Sequence, residues 1–110
     1  MKNRLLLELE GLRKEINRKT INPVVPELAL DDLKPLLNMV AQARADYVKE
    51  LLDLAANTAG AAPNIDQVEN LRNKRVVFEE LVNATNALET VIQREYMDVI
   101  TKPKPNGNQA

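Results

Sequence analysis

From Asn64 to Thr101 the chain contains neither glycine nor proline, and its apolar residues there fall at steps of three and four: Val68, Leu71, Phe78, Leu81, Val82, Leu88, Val91, Ile92, Tyr96 and Val99. That rhythm lines one side of a helix and does not suit the alternation of a half-buried strand. The stretch predicts one helix of about 36 residues, roughly 54 Å long at 1.5 Å per residue. An amphipathic rod of that length owes its stability to tertiary packing, so other helices must cover its apolar side. Its start is marked locally, because Asn64 and Gln67 stand in capping-box relation directly after Pro63.

A second helix is predicted over about 32–58. Asp32 is its expected N-cap, which would put Pro35 in the first turn, where a missing N–H costs nothing. The seam reads Leu33, Leu37, Val40, Arg44, Tyr47, Leu51 and Leu54, flanked by Leu36, Val48 and Ala55. Gly60 suits the left-handed position that ends a helix. A shorter first helix carries Leu5, Leu9, Leu12 and Ile16 on one side, widened by Leu6, with Gly11 as its weak point. Between them Pro23 and Pro26 impose an extended connector, yet Val24, Val25, Leu28 and Leu30 make it too apolar to wave freely in water.

These elements predict an all-α fold: an antiparallel hairpin of helices 32–58 and 64–101, with the N-terminal helix packed on it as a three-helix bundle. The organisation is one domain over 1–101 and a disordered Lys/Pro-rich tail over 102–110. The core must be aliphatic, since the chain has 16 Leu and 12 Ala against one Phe, two Tyr and no Trp.

Composition also removes whole classes of chemistry. Without cysteine or histidine the chain has no disulfide, thiolate nucleophile, Cys/His metal site or imidazole switch. No stretch approaches the roughly 20 apolar residues of a membrane span, and Glu8 and Glu10 break the N-terminal apolar run before it reaches signal-peptide length. A cytoplasmic location, no membrane partner, no cofactor and no metal are the resulting expectations.

Three constellations remain. Glu50-x-x-Asp53 and Glu95-x-x-Asp98 resemble the paired acidic motifs with which some all-helical nucleotide pyrophosphohydrolases hold Mg²⁺. In a hairpin whose facing residues sum to about 122 the two pairs lie roughly 35 Å apart, so one metal cannot join them within a chain. The plainer expectation is a solvated acidic stripe of Asp46, Glu50 and Asp53, with Lys49 paired along it. Residues 1–20 hold six Lys or Arg against three Glu, and residues 21–60 hold three against six acids. Arg13, Lys14, Arg18 and Lys19 with Arg72, Lys74 and Arg75 could face phosphates, but the net charge of −1 and the absence of interleaved aromatics favour complementary protein packing over nucleic acid. Arg44 and Arg75 interrupt apolar seams near Tyr47 and Phe78, where a guanidinium can lie on an aromatic face or receive an acid from another chain. Asn83, Thr85 and Asn86 form either a register-setting polar layer or an outward face.

The functional expectation is a non-enzymatic protein–protein interaction module, an assembly subunit, adaptor or chaperone-like binder. It would bury helical faces in a homo-oligomer or against a partner helix. Leu5, Leu9, Leu12, Ile16, Arg44, Arg75, Leu88, Ile92, Tyr96 and Val99 are the expected interaction surface, with no catalytic residues. An Mg²⁺-dependent nucleotide hydrolase and a nucleic-acid binder acting through helix one are the alternatives.

Overall fold

The computed structural model describes residues 2–25 and 27–100. Three helices dominate: α1 (Lys2–Ile21), α2 (Leu30–Thr58) and α3 (Ile65–Gln93), of 20, 29 and 29 residues. Two three-residue strands accompany them, β1 (Glu27–Ala29) and β2 (Asp98–Ile100). Helices α2 and α3 pack against each other. The expectation of an all-α chain is therefore right for the bulk of the molecule and incomplete at the strands. The predicted tail, 102–110, lies outside the described residues, as does Thr101. The chain resolves into two compact units, one of residues 34–86 and one combining residues up to 33 with those from 87 onward.

Within the unit of residues 34–86, Val40 and Ala43 are the buried positions of α2. Leu36, Tyr47 and Leu54 are half-buried beside them, so the covered face runs 36, 40, 43, 47, 54. Of the predicted seam, Leu33, Val40, Tyr47 and Leu54 are covered, whereas Leu37, Arg44 and Leu51 lie about one position off the covered face, Leu37 and Leu51 being 57% and 52% exposed. At this step Ala43 is the buried residue, and its neighbour Arg44 is exposed. From α3, Leu71, Arg75, Phe78, Leu81, Val82 and Thr85 are half-buried, close to the predicted series.

Both ends of the connection between α2 and α3 obey local rules. Asn64 and Gln67 form the anticipated capping box: the Gln67 N–H donates to Asn64 Oδ1 at 2.8 Å and the Asn64 N–H donates to Gln67 Oε1 at 2.9 Å. At the end of α2 the Gly60 N–H donates to the Ala55 carbonyl and the Ala59 N–H to the Ala56 carbonyl, both at 3.2 Å. This is a Schellman closure. Gly60 has positive φ as expected, at 83°, but the residue in the left-handed closing position is Ala59, at φ 51°.

The other unit departs further from expectation. Helix α3 stops at Gln93 instead of continuing to 101, so α2 and α3 are equal in length. Its end is again a Schellman closure: the Tyr96 N–H donates to the Val91 carbonyl at 2.9 Å and the Glu95 N–H to Ile92 at 3.0 Å, with Glu95 at φ 60°. The chain then reverses and β2 pairs in parallel with β1, in the register Glu27 with Asp98, Leu28 with Val99 and Ala29 with Ile100. Ala29, Tyr96 and Met97 are buried here. The physical reason is that the β-branched pair Val99 and Ile100 prefers a pleated partner to a fraying helix end, and the apolar connector supplies one.

Because β1 runs straight into α2, the helix starts at Leu30 and not at Asp32. Asp32 is not the N-cap: from the first turn its Oδ2 accepts the Ala29 N–H at 2.8 Å, the reaching-back half of a capping box. Pro35 consequently lies inside the helix, one turn deeper than expected, where the ring removes an interior donor.

Candidate functional site

The candidate site is the outward side of α1. Lys14 and Arg18 tie this helix to the segment after α3. Lys14 Nζ donates to Glu95 Oε1 at 2.8 Å, and Arg18 donates from Nη1 to the Glu95 carbonyl and from Nη2 to Asp98 Oδ1, both at 2.5 Å. Asn22 and Asp98 complete the clamp, with the Asp98 N–H donating to Asn22 Oδ1 at 3.2 Å and Asn22 Nδ2 donating to Asp98 Oδ2 at 3.4 Å. The Lys14 ammonium hydrogen-bonded to Glu95, and its positive charge, hold that carboxyl below the ordinary carboxylate range. The hydrogen bond from the Arg18 guanidinium does the same for Asp98. Arg18 also answers a conflict created by the strand register, which sets the like charges Glu27 and Asp98 side by side.

At about 100° per residue, Lys14 and Arg18 fall on the side of α1 opposite to Leu5, Leu9, Leu12 and Ile16. The tethered edge is the polar one, and the apolar stripe is left facing solvent: Leu5 is 67%, Leu9 43%, Leu12 53% and Ile16 54% exposed. Leu6 beside them is 56% exposed. Four large aliphatic side chains in one row form a contiguous apolar patch, unlike the scattered apolar residues of any surface.

The remaining predicted surface residues separate. Arg44 is exposed and its guanidinium carbon sits 5.1 Å from the Phe78 ring centroid, and the Tyr47 ring centroid lies 5.9 Å from that of Phe78 with the planes tilted by 34°. The expectation of an arginine lying on an aromatic face holds for Arg44. Arg75 instead donates to Glu79 at 2.9 Å and, with Tyr47, Val68, Leu71 and Arg72, borders a hollow of about 210 Å³. Leu88 is half-buried. Ile92 and Val99 line an apolar hollow of about 320 Å³ together with Leu28, Leu33 and Ile100. Tyr96 is buried at 8% exposure, and so belongs to the packing of its unit and not to an outer face.

The acidic and basic constellations resolve into local pairs. Glu95 and Asp98 are off the helix and engaged by α1. Lys49 donates to Asp53 at 2.5 Å and Gln42 to Asp46 at 3.1 Å, as a solvated stripe requires. Among the described residues no group of three or more Asp or Glu converges on a common point. Among the basic residues that could face phosphates, Arg13 pairs with Glu10, Arg72 with Glu69 and Arg75 with Glu79. Thr85 donates to the Leu81 carbonyl at 2.8 Å, while Asn83 and Asn86 are on the exposed side. Among the described residues no helix is long and apolar enough to cross a membrane.

Sequence reasoning missed Ala29, Ala43 and Met97 as packing residues and missed both strands. The available signal was the β-branched run after Asp98 set against the apolar connector. Compared with family models, curated proteins and solved structures, the chain matches none of them.

Proposed function

We propose that the chain is a non-enzymatic protein–protein interaction module that acts by burying an apolar helix face, on a bundle whose α2 and α3 run as an antiparallel hairpin. The observation that carries the reading is the row Leu5, Leu9, Leu12 and Ile16, exposed on the side of α1 turned away from its tether. Exposed rows of this kind are costly in water and are relieved by association. The hairpin is supported by the short connection between Thr58 and Ile65 and by the pairing of Arg44 and Tyr47 with Phe78, since short helix connections join antiparallel neighbours.

The test is sedimentation over a range of concentrations, paired with titration of a synthetic amphipathic helix. The expected result is self-association, or binding of the helix by a monomer. Either should be lost in the double variant Leu9→Lys with Leu12→Lys while the far-ultraviolet helical signal remains. A chain that stays monomeric at high micromolar concentration and ignores the amphipathic helix overturns the reading.

A further inference from the structure

We infer that the occupant of the α1 face is a second copy of the same face, in a parallel two-stranded coiled coil held in register by Glu8 of each copy against Arg13 of the other. The inference rests on the interaction-module reading and specifies its partner and polarity.

The steps of the exposed row are four, three and four, which assigns Leu5 and Leu12 to d positions and Leu9 and Ile16 to a positions of a heptad. The next d position is Lys19, a basic residue that ends the apolar seam. Leucine at d with a β-branched residue among the a positions is a combination that suits two parallel strands. The g positions flanking the seam are Glu8 and Glu15; the e positions are Leu6, Arg13 and Thr20.

Polarity follows from these charges. In a parallel pair each g residue meets the e residue five positions later on the other helix, so Glu8 faces Arg13 of the second copy, twice by symmetry. Glu15 faces Thr20, which is neutral. In an antiparallel pair that matches Leu9 with Leu12, g residues face g residues on one flank and e residues face e residues on the other, so Glu8 meets Glu15 of the second copy twice along the g flank, while Leu6 meets Arg13 along the e flank. One arrangement gives two attractions and the other two repulsions, and e and g charges of this kind set orientation.

The structure leaves these groups available. Glu8 and Glu15 are exposed and have no ion-pair partner among the described residues. Among the described residues Arg13 pairs with Glu10 one turn back on its own helix, an exposed pair of the kind that exchanges partners at little cost. Lys14 and Arg18 occupy f and c positions, on the side away from the seam, so two α1 seams can meet without disturbing the clamp on Glu95 and Asp98. Gly11, another c position, also stays clear of the seam.

The experiment uses the whole chain, which has no native cysteine. Leu5→Cys, equilibrated in a glutathione redox buffer, should form a covalent homodimer, because parallel d positions lie side by side. In the antiparallel alternative Leu5 lies opposite Ile16, and two Leu5 positions are roughly 17 Å apart, beyond the reach of a disulfide. Charge reversal supplies the second measurement. Glu8→Arg alone and Arg13→Glu alone should each raise the dimer dissociation constant about tenfold or more, and an equimolar mixture of the two should restore association as a heterodimer. Restoration also shows that both variants fold.

A Leu5→Cys chain that cross-links only with an Ile16→Cys chain overturns the parallel pairing and leaves the interaction-module reading standing. So does a monomer that binds the amphipathic helix. Single reversals that leave association unchanged overturn the Glu8–Arg13 register. A chain with neither self-association nor helix binding overturns both.

Discussion

Arg18 and Asp98, 80 residues apart in sequence, meet at 2.5 Å and join α1 to the strand that follows α3. The same guanidinium donates to the Glu95 carbonyl, so one side chain secures both the left-handed residue that closes α3 and the strand register beyond it. Because the contact uses the polar edge of α1, it also decides which side of that helix is left exposed.

The clamp should be sensitive to acid. Glu95 and Asp98 have folded-state pKa values below their ordinary ones, owing to hydrogen bonds from Lys14 and Arg18 respectively. A depressed carboxyl stabilises the fold fully above its unfolded value, near pH 4, and that contribution is lost as the pH falls through the lower folded value. Amide resonances of Asp98 and Val99 should therefore shift or broaden on acidification below about pH 4. Arg18→Gln should show the same loosening already at neutral pH. Identical pH profiles for the two proteins would count against the clamp.

Gly11 sits within α1, and a Cβ built there meets nothing within 4 Å. Gly11→Ala should stabilise the helix by about 0.5–1 kcal/mol through the lower backbone entropy of the unfolded chain. Thermal unfolding followed by circular dichroism reads the change. The substitution should leave association intact, because position 11 is off the seam.

Ala59 closes α2 at φ 51°, a conformation that costs an L residue about 1 kcal/mol relative to glycine. Ala59→Gly should accordingly stabilise the chain by up to about 1 kcal/mol, reduced by the greater freedom of glycine when unfolded. Urea denaturation at constant m-value is the measurement. Asn64→Ala on the other side of the connection should destabilise by about 1 kcal/mol, through loss of the cap to the Gln67 N–H.

Arg44 over Phe78 should show a measurable coupling. A double-mutant cycle with Arg44→Gln and Phe78→Leu is expected to give about 0.5–1 kcal/mol, the range for an exposed cation on an aromatic face. A coupling indistinguishable from zero would mean that Arg44 contributes only its aliphatic stem.

What the sequence determined by itself is the part of the fold written in neighbours. The Asn64–Gln67 box, the stop around Gly60, the three helices and the aliphatic row on α1 all depend on groups within about four residues of one another, where side-chain type and backbone geometry are directly coupled. Tertiary structure decided the rest. Gln93, Arg94 and Glu95 contain no local stop, and α3 ends there because Val99 and Ile100 gain hydrogen-bonded partners in Leu28 and Ala29, about 70 residues away, a pairing invisible to any helical or alternating period. The same long-range step moved the start of α2 to Leu30, took Tyr96 from a helix face into packing, and turned Glu95 and Asp98 from a paired acidic motif into acceptors for Lys14 and Arg18. Periodicity identified the apolar row of α1, but only the placement of its opposite edge determined that the row is exposed, since amphipathicity defines a face and not what will cover it.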